Sequence, residues 1–249
     1  MSRYKAAGIH LLLTCLIAAI AVCLMVFVWY PPPLFQLLGG LGLLTLISGC
    51  DIVIGPLLTF VVFKSGKRGM KFDLVVIAIL QLCALAYGAY IMAVARPVFI
   101  VFVKDRFELV SIADIQPARW EKAADPRFRH APWTGPEYIG VKWPADRAEQ
   151  QKLLDMAFQG ADVHQLPEYF SPYEVVAAEA AAKAQPIAEL KHLNYSKSKL
   201  IDDEVASLGL KESDVGFLPV NHLRGAITAL VRRDNGAVLK LVRLNPWEL

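Results

Sequence analysis

The chain has 249 residues, 55% of them hydrophobic, and a mean hydropathy of +0.42, too apolar for an ordinary soluble domain. Its formal charge of +3 is divided unevenly: six Lys/Arg face two Asp in residues 1–95, and twenty face twenty-one Asp/Glu thereafter. The basic excess therefore flanks apolar runs and does not mark a folded domain built for nucleic acid.

No charged residue occurs from Ala6 to Cys50. The first run, about 6–30, is longer than the apolar core of a secretory signal and ends in Val-Trp-Tyr without a small-residue cleavage site, so it reads as a retained anchor. Trp29 and Tyr30 fit an interfacial aromatic belt, and Pro31-Pro32-Pro33 ends the helix. His10 near its start reads as a satisfied interfacial histidine, with a proton relay as the alternative.

The second run, about 34–63, is long enough to cross a bilayer at 1.5 Å per residue, yet carries Asp51 and a Gly55-Pro56 break. A carboxylate at that depth costs about 2.5–3.5 kcal/mol on insertion scales, so Asp51 is expected to face protein or to be protonated. It serves either a structural hydrogen bond or a partner or proton site. Pro56 is expected to kink the helix.

Lys64, Lys67, Arg68 and Lys71 fill the next loop and are expected to set topology and meet anionic lipid. The third run covers about 72–95, with Gln81 inside and Ala84 and Gly88 at small-xxx-small spacing. Rise per residue places Gln81 and Tyr87 within a turn of the depth of Asp51, so one of the two is its expected mate in a three-helix bundle. The positive-inside rule puts the N-terminus and the 64–71 loop in the cytoplasm and residues 97–249 across the membrane, in the periplasm of a Gram-negative cell.

Beyond residue 96 the pattern changes. Residues 98–103 and 107–112 predict a β-hairpin around Lys104-Asp105-Arg106. Residues 116–144, rich in Pro and Trp, read as an ordered loop region, with Trp120, Trp133, Tyr138 and Trp143 as core or partner-binding aromatics. A helix is expected from Asp146 to Gly160. A capping box at Ser171-Pro172-Tyr173-Glu174 predicts an Ala-rich helix ending at Pro186, and a third helix covers about 197–208. Strands are expected at 215–220 and on either side of Asp234-Asn235-Gly236, at 226–233 and 237–244. Asn194-Tyr195-Ser196 matches a glycosylation sequon.

The expected architecture is thus an α-helical membrane bundle of three transmembrane helices in residues 1–96, followed by a soluble α+β domain with an antiparallel sheet in 97–249. Cys15, Cys23, Cys50 and Cys83 all lie in the apolar runs and form no metal-ligand spacing. His130, His164, His192 and His222 are scattered, and no nucleophile elbow, phosphate loop or dinucleotide fingerprint appears. Neither catalysis nor a cofactor is expected. The rival reading is a membrane-anchored enzyme or transporter-like subunit using Asp51.

Residues 50–90, CDIVIGPLLTFVVFKSGKRGMKFDLVVIAILQLCALAYGAY, and 95–110, ARPVFIVFVKDRFELV, resemble the TfpX/TfpZ family of type IV pilin accessory proteins. The opening SRYKAAGIHLL and the closing hairpin before Pro246-Trp247 are also similar. The resemblance implies an inner-membrane, non-enzymatic protein that accompanies the type IV major pilin and promotes pilus assembly. It carries Asp51, Gly55, Pro56, Lys71, Asp73, Gln81, Tyr87 and Gly88 as motif positions and implies no catalytic residues.

Overall fold

A computed structural model describes residues 2–63 and 69–247, with only the backbone described for residues 43, 46–48, 50 and 51. The chain divides into two compact units, Met1–Arg96 and Pro97–Leu249.

In the first unit, α1 spans Arg3–Leu24, begun by the Ser2 side chain accepting the Lys5 N–H at 3.3 Å, and it continues through a wider turn at Met25–Trp29. A short turn, α2, covers Leu34–Leu37, and α3 covers Gly40–Val62. The single run expected from Leu34 is therefore interrupted: Gly39 takes a left-handed conformation (φ 72°), and any side chain at Gly40 would overlap the Phe35 ring. The helix runs past Pro56, which is buried. α4 covers Met70–Ala95.

Three crossings were expected. Among the described residues two helical stretches, Arg3–Trp29 and Met70–Ala95, are long and apolar enough to cross a membrane, and Ile52–Val62 is a shorter apolar helix. Each helix turns one stripe inward. On α1 the stripe includes Ala6, His10, Thr14, Ala18 and Met25; on α4 it includes Ile77, Gln81, Leu85, Gly88 and Met92. The spacing of three and four residues is that of one helix face.

The second unit opens with β1 (Pro97–Val103) and β2 (Arg106–Ser111), the expected hairpin, turned at Lys104 with φ 58°. It continues with β3 (Glu137–Val141), α5 (Arg147–Phe158), β4 (Phe170–Pro172), α6 (Ala177–Lys183), β5 (Gln185–Pro186), α7 (Ile187–Leu193), α8 (Ser198–Ser207), β6 (Val215–His222), β7 (Gly225–Arg232) and β8 (Val238–Val242). The strands form one sheet in the order β4-β3-β1-β2-β6-β7-β8, with β5 paired to β6.

The sheet is mixed, which corrects the antiparallel expectation. β1 runs parallel to β3, with Val101 opposite Ile139, and β2 runs parallel to β6, with Phe107 opposite Val220. Parallel neighbours need a long crossover, and these partners lie far apart in sequence, where no hairpin signal reaches. One core packs Phe99, Val101 and Val110 against Phe128, Leu166 and Phe170. A second packs Phe217, Leu230 and Val242 under α7 and α8, against Ile187, Leu190, Ile201 and Val205.

Two local expectations fail for the same reason. The 116–144 stretch is not all loop, because β3 lies within it. The box at Ser171 does not cap an α-helix: Ser171 pairs with Gly140 in the sheet, its Oγ is buried without a hydrogen-bond partner among the described residues, and the α-helix begins only at Ala177. Pairing with a remote strand overrides the local signal. The helices at Asp146 and Ser198 form as expected. The Asp146 carboxylate accepts the Glu149 N–H at 3.0 Å, and Gly160 and Gly209 take left-handed conformations after the two helix ends.

Candidate functional site

In the first unit α1 and α4 each pack against α3, which sets the geometry of the polar positions. His10 Nδ1 lies 2.6 Å from Thr59 Oγ1, and the Thr14 hydroxyl donates to the His10 carbonyl at 3.0 Å. Thr59 is 3% exposed. A ring nitrogen near the start of α1 is thereby matched by a hydroxyl from another apolar helix.

One turn before Thr59, Gly55 and Pro56 are buried, and a Cβ added at Gly55 would overlap the Gln81 amide. Gln81 thus reaches across to α3 at the position where a helix backbone can be approached most closely. Gly88, two turns on, is buried, whereas Tyr87 beside it is 67% exposed. Lys71 is exposed in the first turn of α4. Asp51 belongs to α3 by its backbone, but its side chain lies outside the described residues, as do Lys64, Lys67 and Arg68.

At the opposite end of this unit the Tyr30 hydroxyl donates to the Met92 carbonyl at 3.0 Å, and the Arg96 guanidinium lies 5.3 Å from the centre of the Trp29 ring. Met25, Trp29, Tyr30 and Met92 form a buried cluster. The interfacial aromatics therefore clamp α1 to α4 within the unit.

The second unit holds a polar cluster where β2 meets β6. The Asn221 amide donates to Glu108 at 3.3 Å, the Trp247 indole donates to Asn221 Oδ1 at 3.1 Å, and Arg106 lies 5.3 Å from the Trp247 ring centre. Burial pushes the Glu108 carboxyl up, against the Asn221 bond, and pushes the His164 and His222 imidazoles down. Burial also pushes the Tyr138 phenol up to about 12. Arg119 and Glu168 pair at 2.5 Å in a half-buried position. Among the described residues no group of three His, Cys, Asp or Glu side chains is placed to hold a metal ion.

The aromatic residues of 116–144 divide by role. Trp120 packs on the first core, Tyr138 meets Phe107 edge to face and Tyr173 at a tilt, and Trp143 lies under Lys104 at 4.8 Å, whereas Trp133 is 74% exposed. The sequon asparagine is structural. Asn194 is buried, donates to the Leu190 and Asn245 carbonyls at 3.0 and 2.8 Å, and accepts the Asn245 N–H at 3.1 Å. Sequence reading missed the partnership of His10 with Thr59. Its one local trace is Thr14, four residues after His10 on the same face.

Residues 1–39 match the family model for fimbrial assembly protein FimB. Over 248 residues the chain is 32% identical to the fimbrial assembly protein of serogroup I from Dichelobacter nodosus, covering 98% of this chain and 96% of that protein. It is 31% identical, with the same coverage, to the serogroup E1 protein of that organism, and 42% identical over 113 residues to the protein of serogroups C1 and C2, 45% of this chain and 86% of that one. No solved structure matches.

Proposed function

Starting from the fact that this chain belongs to the fimbrial assembly protein family, we propose that it is a non-catalytic, multi-pass inner-membrane protein that binds the type IV fimbrial subunit and promotes its stability or assembly. The observation that carries this reading is the coverage of the match. It runs through both the membrane helices and the 97–249 unit, so the relatives share the anchor and the head together. The TfpX/TfpZ resemblance at 50–110 supplies the type IV assignment.

In this reading α3 also crosses the membrane, as the second of three spans. Its 23 residues measure about 34 Å, enough for the hydrocarbon core. Residues 97–249 then lie in the periplasm, with Lys64, Lys67, Arg68 and Lys71 on the cytoplasmic side against anionic lipid. Asp51 serves the bundle or the partner within the membrane, alongside Gln81 and Gly55.

Co-purification from solubilised membranes tests the reading. The fimbrial subunit is expected to accompany the full chain and to be lost on deleting 97–249 or on Asp51→Leu. A reporter fused after Leu249 is expected to behave as periplasmic. A cytosolic reporter, or a proton flux or hydrolase activity in the purified protein, would reject the reading.

A further inference from the structure

The strand register of the second unit brings three side chains to one end of the sheet. β1 begins at Pro97, and a single residue, Arg96, separates it in sequence from α4. β2 runs parallel to β6 with Glu108 opposite Asn221, so counting on sets Leu223 level with Val110, which pairs with Phe99. The two-residue tip Leu223-Arg224 between β6 and β7 therefore stands at the Pro97 end, two strands or about 10 Å to one side. β1 also runs parallel to β3, with Phe99 opposite Glu137, so the segment that enters β3 and carries Trp133 lies at the same end on the other side. The Lys104-Asp105 turn marks the opposite end.

Two-residue hairpin tips favour Asn, Asp and Gly. Here the pair is Leu and Arg. Leu223 is 98% exposed, so no packing within the fold accounts for it, and the Arg224 guanidinium makes no hydrogen bond or ion pair among the described residues. Trp133 is also largely exposed. An indole, an aliphatic chain and a guanidinium are the set that a bilayer surface accepts: the first sits among headgroups, the second reaches the acyl boundary, and the third meets phosphate.

Connectivity supplies the bilayer. The 26 residues of α4 measure about 39 Å, more than the hydrocarbon core of about 30 Å, so a crossing α4 delivers Arg96 to the headgroup layer. Pro97 follows without a linker, and the register keeps Leu223 and Trp133 within about 15 Å of it.

We propose that the Pro97 end of the second unit is a foot on the membrane surface, with Trp133 and Leu223 inserted into the headgroup layer of the bilayer that α4 crosses and Arg224 on a lipid phosphate. That α4 crosses a membrane belongs to the function proposed above. That the three side chains share the Pro97 end follows from the strand register alone.

The test uses the full chain in nanodiscs of phosphatidylcholine and phosphatidylglycerol, with an environment-sensitive fluorescent amino acid placed singly at Leu223, Trp133, Asp105 or Leu80. Asp105 is exposed at the opposite turn, and Leu80 is exposed on α4. Lipids brominated near the headgroup report contact at the surface, and lipids brominated at mid-chain report Leu80. Surface quenching is expected severalfold higher at Leu223 and Trp133 than at Asp105. Leu223→Ser and Arg224→Glu, both at exposed positions, should leave the melting temperature unchanged and cut the quenching at Trp133 at least twofold. Quenching at the foot no greater than at Asp105, or blue-shifted emission there without quenching, the sign of a protein cover, would overturn the proposal. If Leu80 is quenched in that event, α4 crosses and only the foot is wrong. If Leu80 is not quenched, the membrane reading of α4 falls, and the proposed function and the foot fall with it.

Discussion

His10 Nδ1 and Thr59 Oγ1 lie 2.6 Å apart across 49 residues of sequence, and their bond ties α1 to α3. Hydrogen bonds between membrane helices are individually modest, about 0.6 kcal/mol on average and up to about 1.7. Thr59→Val, which keeps the shape and removes the hydroxyl, is expected to lower stability in a detergent unfolding titration by about that amount. A double-mutant cycle with His10→Phe should return a coupling of the same size. A coupling of zero would mean that the bond does not hold the helices.

Gly55 and Gln81 form the matching contact between α3 and α4. A Cβ at Gly55 would overlap the Gln81 amide, so Gly55→Ala is expected to cost about 1–3 kcal/mol by overpacking. Shortening the intruding side chain with Gln81→Ala in the same protein should recover part of the loss. Thermal aggregation of the detergent-solubilised protein reads both effects. A double variant no better than Gly55→Ala alone would remove the contact from the account.

Glu108 gives the second unit a pH dependence. Burial raises its carboxyl above the ordinary value of 4.5, so the folded state holds the proton more tightly than the unfolded chain does. The stability this group contributes is present below the unfolded pKa and is lost as pH rises through the raised folded value. Glu108→Gln keeps an acceptor for the Asn221 amide and removes the titration. The variant should melt above the parent near pH 7 and converge with it near about pH 4. Parallel melting curves at all pH values would contradict the burial of this carboxyl.

His164 and His222 act in the opposite direction. Burial lowers both below the ordinary value of 6.5, so their stabilising contribution is present above that pH and is lost as pH falls through the lowered folded values. His164→Gln is expected to flatten the decline in melting temperature on acidification below about pH 6.5.

Asn194 holds the C-terminal tail through both polar groups of Asn245, and its own burial leaves no room for a glycan. Asn194→Ala strands a carbonyl and an N–H of Asn245, at about 1–3 kcal/mol for a buried unmatched group. A lowered melting temperature of the full chain is the expected result. Wild-type stability would show that the tail is held elsewhere.

Local signals carried a good part of the architecture. The apolar runs and the Pro-Pro-Pro break marked helices that the structure contains, whereas α3 runs on through Gly55-Pro56 and the interruption falls at Gly39. Lys104-Asp105-Arg106 and Asp234-Asn235-Gly236 marked two hairpins that form as read, because a hairpin joins strands that are neighbours in sequence. Ser171 shows the limit. Its capping-box pattern is real, but the residue is taken into β4 by Gly140, thirty-one positions earlier.

From residue order alone came the membrane-compatible half, the separate α+β half and the polar positions set among apolar neighbours, since hydropathy and turn chemistry act over a few residues. Only the folded chain decided that β1 lies parallel to β3 and β2 parallel to β6, that Asn194 is buried, and that His10 meets Thr59 while Gln81 meets Gly55. Those contacts join segments tens of residues apart, and which remote partner satisfies a buried polar group or a strand edge is settled by packing of the whole chain.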